Sequence, residues 1–115
     1  MRIFKFGGAS VKDAKGVQNV AKVLKKVGYT DTLVIVSAMG KTTNALEAIV
    51  DQYFNSPKEL SNSIVELEQF HSEIVTELMG VEAQPLKEKV SVLIQELKSF
   101  FEHNNSFKIF PFSFT

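Results

Sequence analysis

The feature that most constrains this chain is the unbroken run Leu33-Val34-Ile35-Val36. An aliphatic, β-branched run without polar alternation is the pattern of a parallel strand buried on both faces. A parallel strand needs a crossover from its neighbour, and the residues before it supply one. Arg2 to Phe6 mixes aromatic and β-branched residues and stops at Gly7-Gly8, a strand that ends in a tight loop with exposed backbone. Val17, Val20, Ala21, Leu24 and Val27 recur at helical spacing, and Gly28 stands where a helix terminates at positive φ. The three segments make a βαβ unit. Its two strands are parallel, so the loop after Phe6 and the loop after Val36 open on the same sheet edge, where ligands of open α/β sheets bind.

From Asn44 the pattern is helical for about sixty residues by the period rule. Leu46, Ile49, Val50 and Tyr53 form the first stripe. Ser56-Pro57-Lys58-Glu59 reads as a new helix start, with Ser56 as N-cap, Pro57 at the first helical position and Glu59 closing a capping box. Leu60, Ile64, Leu67, Ile74 and Leu78 continue to a stop at Gly80. Pro85 restarts the pattern, and Leu86, Val90, Leu93, Leu97 and Phe101 define a further helix. The last two helices are expected to pack as an antiparallel hairpin. Residues 105–115 differ in kind: Phe107, Phe110, Phe112 and Phe114 crowd the end of the chain, and Pro111 blocks a central strand position there.

Composition removes several function classes. With 115 residues, 44% of them hydrophobic, the chain can bury one core. Thirteen Lys and Arg balance thirteen Asp and Glu, so the general electrostatic attraction to nucleic acid or an anionic membrane is missing. No apolar run approaches the ~20 residues of a membrane span, and the N-terminus lacks the apolar stretch of a signal peptide. The absence of cysteine excludes disulfides and thiolate metal sites and suits a reducing cytoplasm. The lysines Lys22, Lys25 and Lys26 read as the solvated face of the first helix, since no aromatic residues interleave them. His71 and Glu68 echo a Glu-x-x-His pair, but di-iron bundles need two such pairs; His71 is read as a half-buried, hydrogen-bonded core histidine. No residue is assigned as a metal ligand.

Two loops carry the candidate chemistry. Lys5-Phe6-Gly7-Gly8-Ala9-Ser10 sets a cation beside backbone N–H groups that glycine leaves unshielded, a cradle for phosphate to which the following helix adds its positive end. Alone, such a short string is more often a simple turn. Ser37-Ala38-Met39-Gly40-Lys41-Thr42-Thr43-Asn44 lies on the same edge. Gly40-Lys41-Thr42 is not a P-loop, because that motif wants glycine five positions earlier, where Ile35 stands. Thr43 and Asn44 can cap the next helix or offer a hydroxyl and an amide to a small polar ligand. Met39 reads as packing.

Together the strings Lys5-Phe6-Gly7-Gly8-Ala9-Ser10-Val11 and Val36-Ser37-Ala38-Met39-Gly40-Lys41-Thr42-Thr43-Asn44 resemble the two signatures of the amino-acid kinase family, within it those of the aspartate kinases. The first departs from that pattern only in Ala9 for Thr. The resemblance implies a three-layer α/β/α sandwich of the carbamate-kinase-like type, present as its N-terminal part with a helical hairpin. It implies transfer of the γ-phosphoryl of ATP to the β-carboxylate of L-aspartate, with Mg²⁺ holding the phosphates, at the head of lysine, threonine and methionine synthesis in the cytoplasm. On it, Lys5 is catalytic; Lys5, Phe6, Gly7, Gly8 and Ser10 bind the ATP phosphates; and Ser37, Ala38, Thr43 and Asn44 line the aspartate site. The full-length enzyme would be a homo-oligomer with neither nucleic-acid nor membrane partners. Residues 1–104 correspond to the N-terminal, aspartate-binding portion, and 105–115 to an atypical tail, as expected of a truncated or frame-shifted piece inactive alone. The kinase portion of a bifunctional aspartate kinase–homoserine dehydrogenase shares these motifs, and a non-catalytic subunit-contact module is the reading from another class.

Overall fold

The computed structural model describes residues 1–104 of the chain. The expectations for residues 105–115 lie outside the described residues. The element order is β1 (Arg2–Phe6), α1 (Ala14–Val27), β2 (Thr32–Val36), α2 (Thr42–Asn55), α3 (Pro57–Met79), a single 3₁₀ turn (Gly80–Glu82) and α4 (Gln84–His103). The class is α/β, with a small parallel sheet and a helical layer.

β1 and β2 pair in parallel with Ile3 opposite Leu33 and Lys5 opposite Ile35. The crossover is held at its far end by Arg2, whose guanidinium donates to the carbonyls of Val27 and Gly28 at 3.2 Å and lies over the Phe4 ring at 5.3 Å. Arg2 therefore serves as a cation at the C-terminus of α1, satisfying carbonyls that the helix leaves open. Gly28 takes φ 81° there.

The expectation that β2 is buried on both faces is corrected. Leu33, Ile35 and Val36 are 45, 44 and 53% exposed, and Ile3 is 60% exposed. Side chains alternate along a strand, so Ile3, Lys5, Leu33 and Ile35 share one face. No element among the described residues covers that face. The continuous aliphatic run reports a strand suited to two-sided burial, whereas in a two-stranded sheet only the side with half-buried Phe4, Phe6 and Val34 gains shelter.

The principal core lies in the helical layer. Ile49 and Tyr53 of α2, Ile64 and Leu67 of α3, and Ile94 and Phe101 of α4 form one buried cluster, with Ala45, Phe54, Leu60, Val90 and Leu97 packed at its margin. Tyr53 stacks on Phe101 with ring centroids 4.8 Å apart, and its hydroxyl donates to the carbonyl of Asn104, tying α2 to the end of α4. The α3–α4 pair is the expected antiparallel hairpin: Leu60 and Phe101 line one hollow at one end, Thr76 and Lys87 another at the opposite end. α1 packs against α3, and Val11, Ala14, Ile74 and Val75 are buried.

Helix starts and stripes differ in detail from the sequence reading. Ser56 stands at the N-cap of α3 with Pro57 next, as expected, but its side chain makes no cap; the capping box with Glu59 is replaced by a backbone bond from Glu59 N–H to the Ser56 carbonyl at 2.9 Å. On α4 Leu93 is 64% exposed and Ile94 takes the core position. On α2 Leu46 and Val50 face outward, leaving Ile49 and Tyr53 to the core. No helix among the described residues is long and apolar enough to cross a membrane.

Candidate functional site at the sheet edge

The two loops meet where the βαβ unit requires. Ser37 N–H donates to the Phe6 carbonyl at 2.9 Å, continuing the ladder one step past the strands. A Cβ placed on Gly8 would sit 3.7 Å from the carbonyl oxygens of both Ala38 and Gly40, so the loops are in van der Waals contact. Gly40, at φ 56°, locks the second loop down: a Cβ there would meet the Phe70 ring of α3 at 2.9 Å and the Lys12 carbonyl at 3.2 Å.

The first loop is built from two successive turns, Ser10 N–H to Gly7 at 3.0 Å and Val11 N–H to Gly8 at 3.3 Å, with buried Val11 as anchor. These bonds use the amides of Ser10 and Val11. The N–H groups of Gly7, Gly8 and Ala9 have no partner among the described residues. Consecutive open donors are the backbone element from which anion-binding concavities are built. Neither Gly7 nor Gly8 has positive φ, and a Cβ on Gly7 would meet nothing within 4 Å. Glycine at position 7 is thus required by no contact among the described residues; what its missing side chain leaves clear is the approach from outside.

The helix that follows the first loop, expected to lend it a positive end, has that end closed. Six residues, Gly8 to Asp13, separate Gly7 from α1, and the Asp13 carboxylate accepts from Gly16 N–H at 2.8 Å, closing that N-terminus with a negative charge. α2 is the open helix. Its N-cap is Lys41, without a side-chain cap, so Thr43 and Asn44 lie inside the first turn and do not cap it. Their side chains are exposed and carry no hydrogen bond among the described residues, as do those of Ser10 and Lys5. Thr42, which sequence reasoning passed over, is the structural hydroxyl: it is buried and bonds the Met39 carbonyl at 2.5 Å. Gly16 was also missed. A Cβ there would stand 2.4 Å from the Ser10 carbonyl oxygen, so α1 grips the back of the first loop through a contact that only glycine permits. A glycine within the first helix, where it weakens propensity, was the available signal.

Lys5 projects from the uncovered sheet face, one residue before the loop. His71 behaves as a core histidine, half-buried with Nδ1 2.9 Å from the Leu67 carbonyl. Among the described residues no three His, Asp or Glu side chains gather. The two loops hold one carboxylate, Asp13, and it is engaged at the N-cap; these residues do not fit a Mg²⁺ ion.

The family model for amino acid kinases matches residues 1–105. The chain belongs to the amino acid kinase family. Over 57 residues, 48% of this chain and 14% of the relative, it is 44% identical to the aspartokinase of Geobacillus stearothermophilus. Over 99 residues, 84% of this chain and 18% of the relative, it is 32% identical to the chloroplastic aspartokinase 2 of Arabidopsis thaliana. The chain therefore spans less than a fifth of the length of these curated relatives.

Proposed function

We propose that the chain forms the phosphate loop and one wall of the amino-acid site of an aspartate kinase, the reaction being ATP plus L-aspartate to ADP plus 4-phospho-L-aspartate. The observation that carries this reading is the row of open N–H groups at Gly7, Gly8 and Ala9 beside the unobstructed face of Gly7. In this role the row holds the phosphates of ATP and Lys5 offsets charge on the transferring γ-phosphoryl. Ser10 adds a hydroxyl to the cradle. Thr43 and Asn44, with the uncapped start of α2, hold a carboxylate of aspartate, and Ser37 and Ala38 close the wall between the loops. A β-carboxylate oxygen of aspartate attacks the γ-phosphorus, and the bond from that phosphorus to the β–γ bridging oxygen breaks, releasing ADP. Such a transfer asks the protein for alignment and charge stabilisation. Mg²⁺ would arrive bound to the nucleotide. The relatives' names support the substrate; a cytoplasmic location and a role in lysine-family biosynthesis are part of the same proposal.

The test uses amide correlation spectra of the chain, titrated separately with tripolyphosphate and L-aspartate. Tripolyphosphate is expected to move the amides of Gly7, Gly8 and Ala9, and aspartate those of Thr43 and Asn44. Unmoved Gly7 to Ala9 amides at millimolar tripolyphosphate overturn the phosphate assignment, and unmoved Thr43 and Asn44 amides overturn the aspartate assignment. A second reading, a subunit-contact module, is favoured by the uncovered apolar face of Ile3, Leu33 and Ile35. It expects concentration-dependent association with both titrations silent.

A further inference from the structure

Phe70 stands apart from the other large apolar side chains on its side of α3. Ile64 and Leu67 enter the cluster shared with α2 and α4, and Ile74 and Val75 are buried further along, whereas Phe70 belongs neither to that cluster nor to its margin. It is half-buried, with the His71 ring edge-on to it at 5.3 Å between centroids. Its tip is turned to a loop instead. Cζ of the ring lies 2.9 Å, and Cε2 3.5 Å, from where a Cβ on Gly40 would stand.

Three segments meet at Gly40. Its open side faces Phe70 of α3 and the Lys12 carbonyl at the exit of the first loop, while its own carbonyl oxygen is 3.7 Å from the Cβ position of Gly8. Two residues on, the amide and the hydroxyl of Thr42 both bond the Met39 carbonyl, at 3.2 and 2.5 Å, closing a turn around Gly40 and Lys41. That turn leads directly into Thr43 and Asn44 in the first turn of α2. Its internal bonds fix its shape, and contact with the ring fixes how closely it sits against α3. The ring in turn stands on rigid ground, because Leu67 and Ile74, about one helical turn before and after it, are both buried.

We propose that Phe70 is a positioning residue for the amino-acid site: a wedge on the helical layer that sets where the Gly40 turn lies, and with it the placement of Thr43 and Asn44 relative to the open amides of Gly7 to Ala9. What this placement serves rests on the reading of the two loops as the phosphate and aspartate sites of a kinase, a reaction that depends on alignment of donor and acceptor. The ring suits the task. Leucine is shorter and would leave a gap at the ring tip, forfeiting the contact with Gly40. Glycine at position 40 completes the arrangement, since φ 56° and the nearness of the ring each exclude a side chain there.

The experiment compares the full chain with Phe70→Leu, Phe70→Met and Leu97→Ala by amide hydrogen exchange, then by amide correlation spectra titrated separately with L-aspartate and tripolyphosphate. Leu97 lies at the margin of the core on α4, which packs on α3, and its truncation reports what lost packing alone does. In Phe70→Leu the amides of Thr42 and Ala45, bonded to the Met39 and Lys41 carbonyls, are expected to exchange at least about tenfold faster, and that of Val11 in the first loop to hold. Aspartate affinity should fall at least about tenfold and tripolyphosphate affinity stay within about twofold, as expected when one of two loops is misplaced. Phe70→Met, long and adaptable, should recover most of both losses. Leu97→Ala should lower the melting temperature and leave Thr42 exchange and aspartate affinity at parent values. Should Phe70→Leu not fold, Phe70→Tyr carries the test, because its added oxygen sits on the atom nearest Gly40 and displaces the same turn. Unchanged exchange at Thr42 and Ala45 overturns the proposal, as do equal losses for both ligands or a Leu97→Ala protein that loosens the turn as much. If the parent's Thr43 and Asn44 amides ignore aspartate, the aspartate assignment falls, and exchange at the turn still decides the role of Phe70.

Discussion

Two glycines of the first loop region are expected to respond to the same substitution in opposite ways. In Gly16→Ala the new methyl stands 2.4 Å from the Ser10 carbonyl oxygen and 3.3 Å from the Asp13 carboxylate. An ordinary carbon–oxygen contact is about 3.3 Å, so the loop or helix must retreat by about 0.9 Å. Overpacking of this kind costs about 1–3 kcal/mol. Disturbing the Asp13 cap adds about 1 kcal/mol, and the higher helix propensity of alanine returns about 1 kcal/mol. The net expectation is a loss of about 1–3 kcal/mol, or a melting temperature lower by about 4 °C or more. In Gly7→Ala the methyl meets nothing within 4 Å and the backbone is outside the left-handed region. Stability should hold, or rise by up to about 1 kcal/mol through a less flexible unfolded chain. The same methyl would occupy the open side of Gly7, the approach proposed for phosphate, and should reduce tripolyphosphate affinity at least about tenfold. Circular-dichroism melts and tripolyphosphate titrations on both variants provide the readouts. A Gly16→Ala protein as stable as the parent refutes the close-approach argument, and a Gly7→Ala protein with undiminished affinity refutes the cradle.

Ile49→Ala, at a position 1% exposed between three helices, should cost about 2–5 kcal/mol in urea unfolding with an unchanged m-value. Thr42→Val keeps the shape but removes the bond to the Met39 carbonyl, and should lower stability by about 1 kcal/mol in the same assay while shifting the Thr43 and Asn44 amides. In a chimera carrying this chain's aligned residues within the Arabidopsis relative, Lys5→Ala should depress kcat, because its charge acts on the transferring phosphoryl. Thr43→Ala should chiefly raise the KM for aspartate, and identical kinetic patterns for the two would contradict the assigned roles.

The parts of the fold written in short stretches of sequence were legible. Arg2 to Phe6, the helix ending at Gly28, Pro57 after Ser56 and the stop at Gly80 each depend on neighbours a few residues away, and each stands where the pattern placed it. The parallel pairing followed too, since a helix between two strands leaves little choice. What failed to show depends on distant residues. Whether Leu33 and Ile35 find cover is decided by which elements reach that side of the sheet, not by their own side chains. Leu93 and Ile94 are equally apolar, and only the angle between α3 and α4 selects Ile94. At the candidate site, the shared edge of the two loops was readable from the βαβ order. The exchange of helix ends was not: Asp13 is an ordinary N-cap residue, but its effect, closing α1 and leaving α2 as the open helix, depends on how six intervening residues turn.

The two-stranded sheet has one more consequence. In a parallel pair each strand directs alternate amides inward. With Arg2 N–H bonded to Asp31 at 3.0 Å and Ser37 N–H to Phe6, the inward set on β1 begins at Arg2 and the outward set includes Ile3 and Lys5. On β2 the outward set includes Val34 and Val36. Each border of the sheet is thus a ready template whose backbone would accept any extended segment regardless of its sequence, and discrimination falls to the side chains that such a newcomer lays beside Ile3, Leu33 and Ile35. Selectivity for an incoming strand therefore resides on the uncovered face, and capacity for it in the main chain.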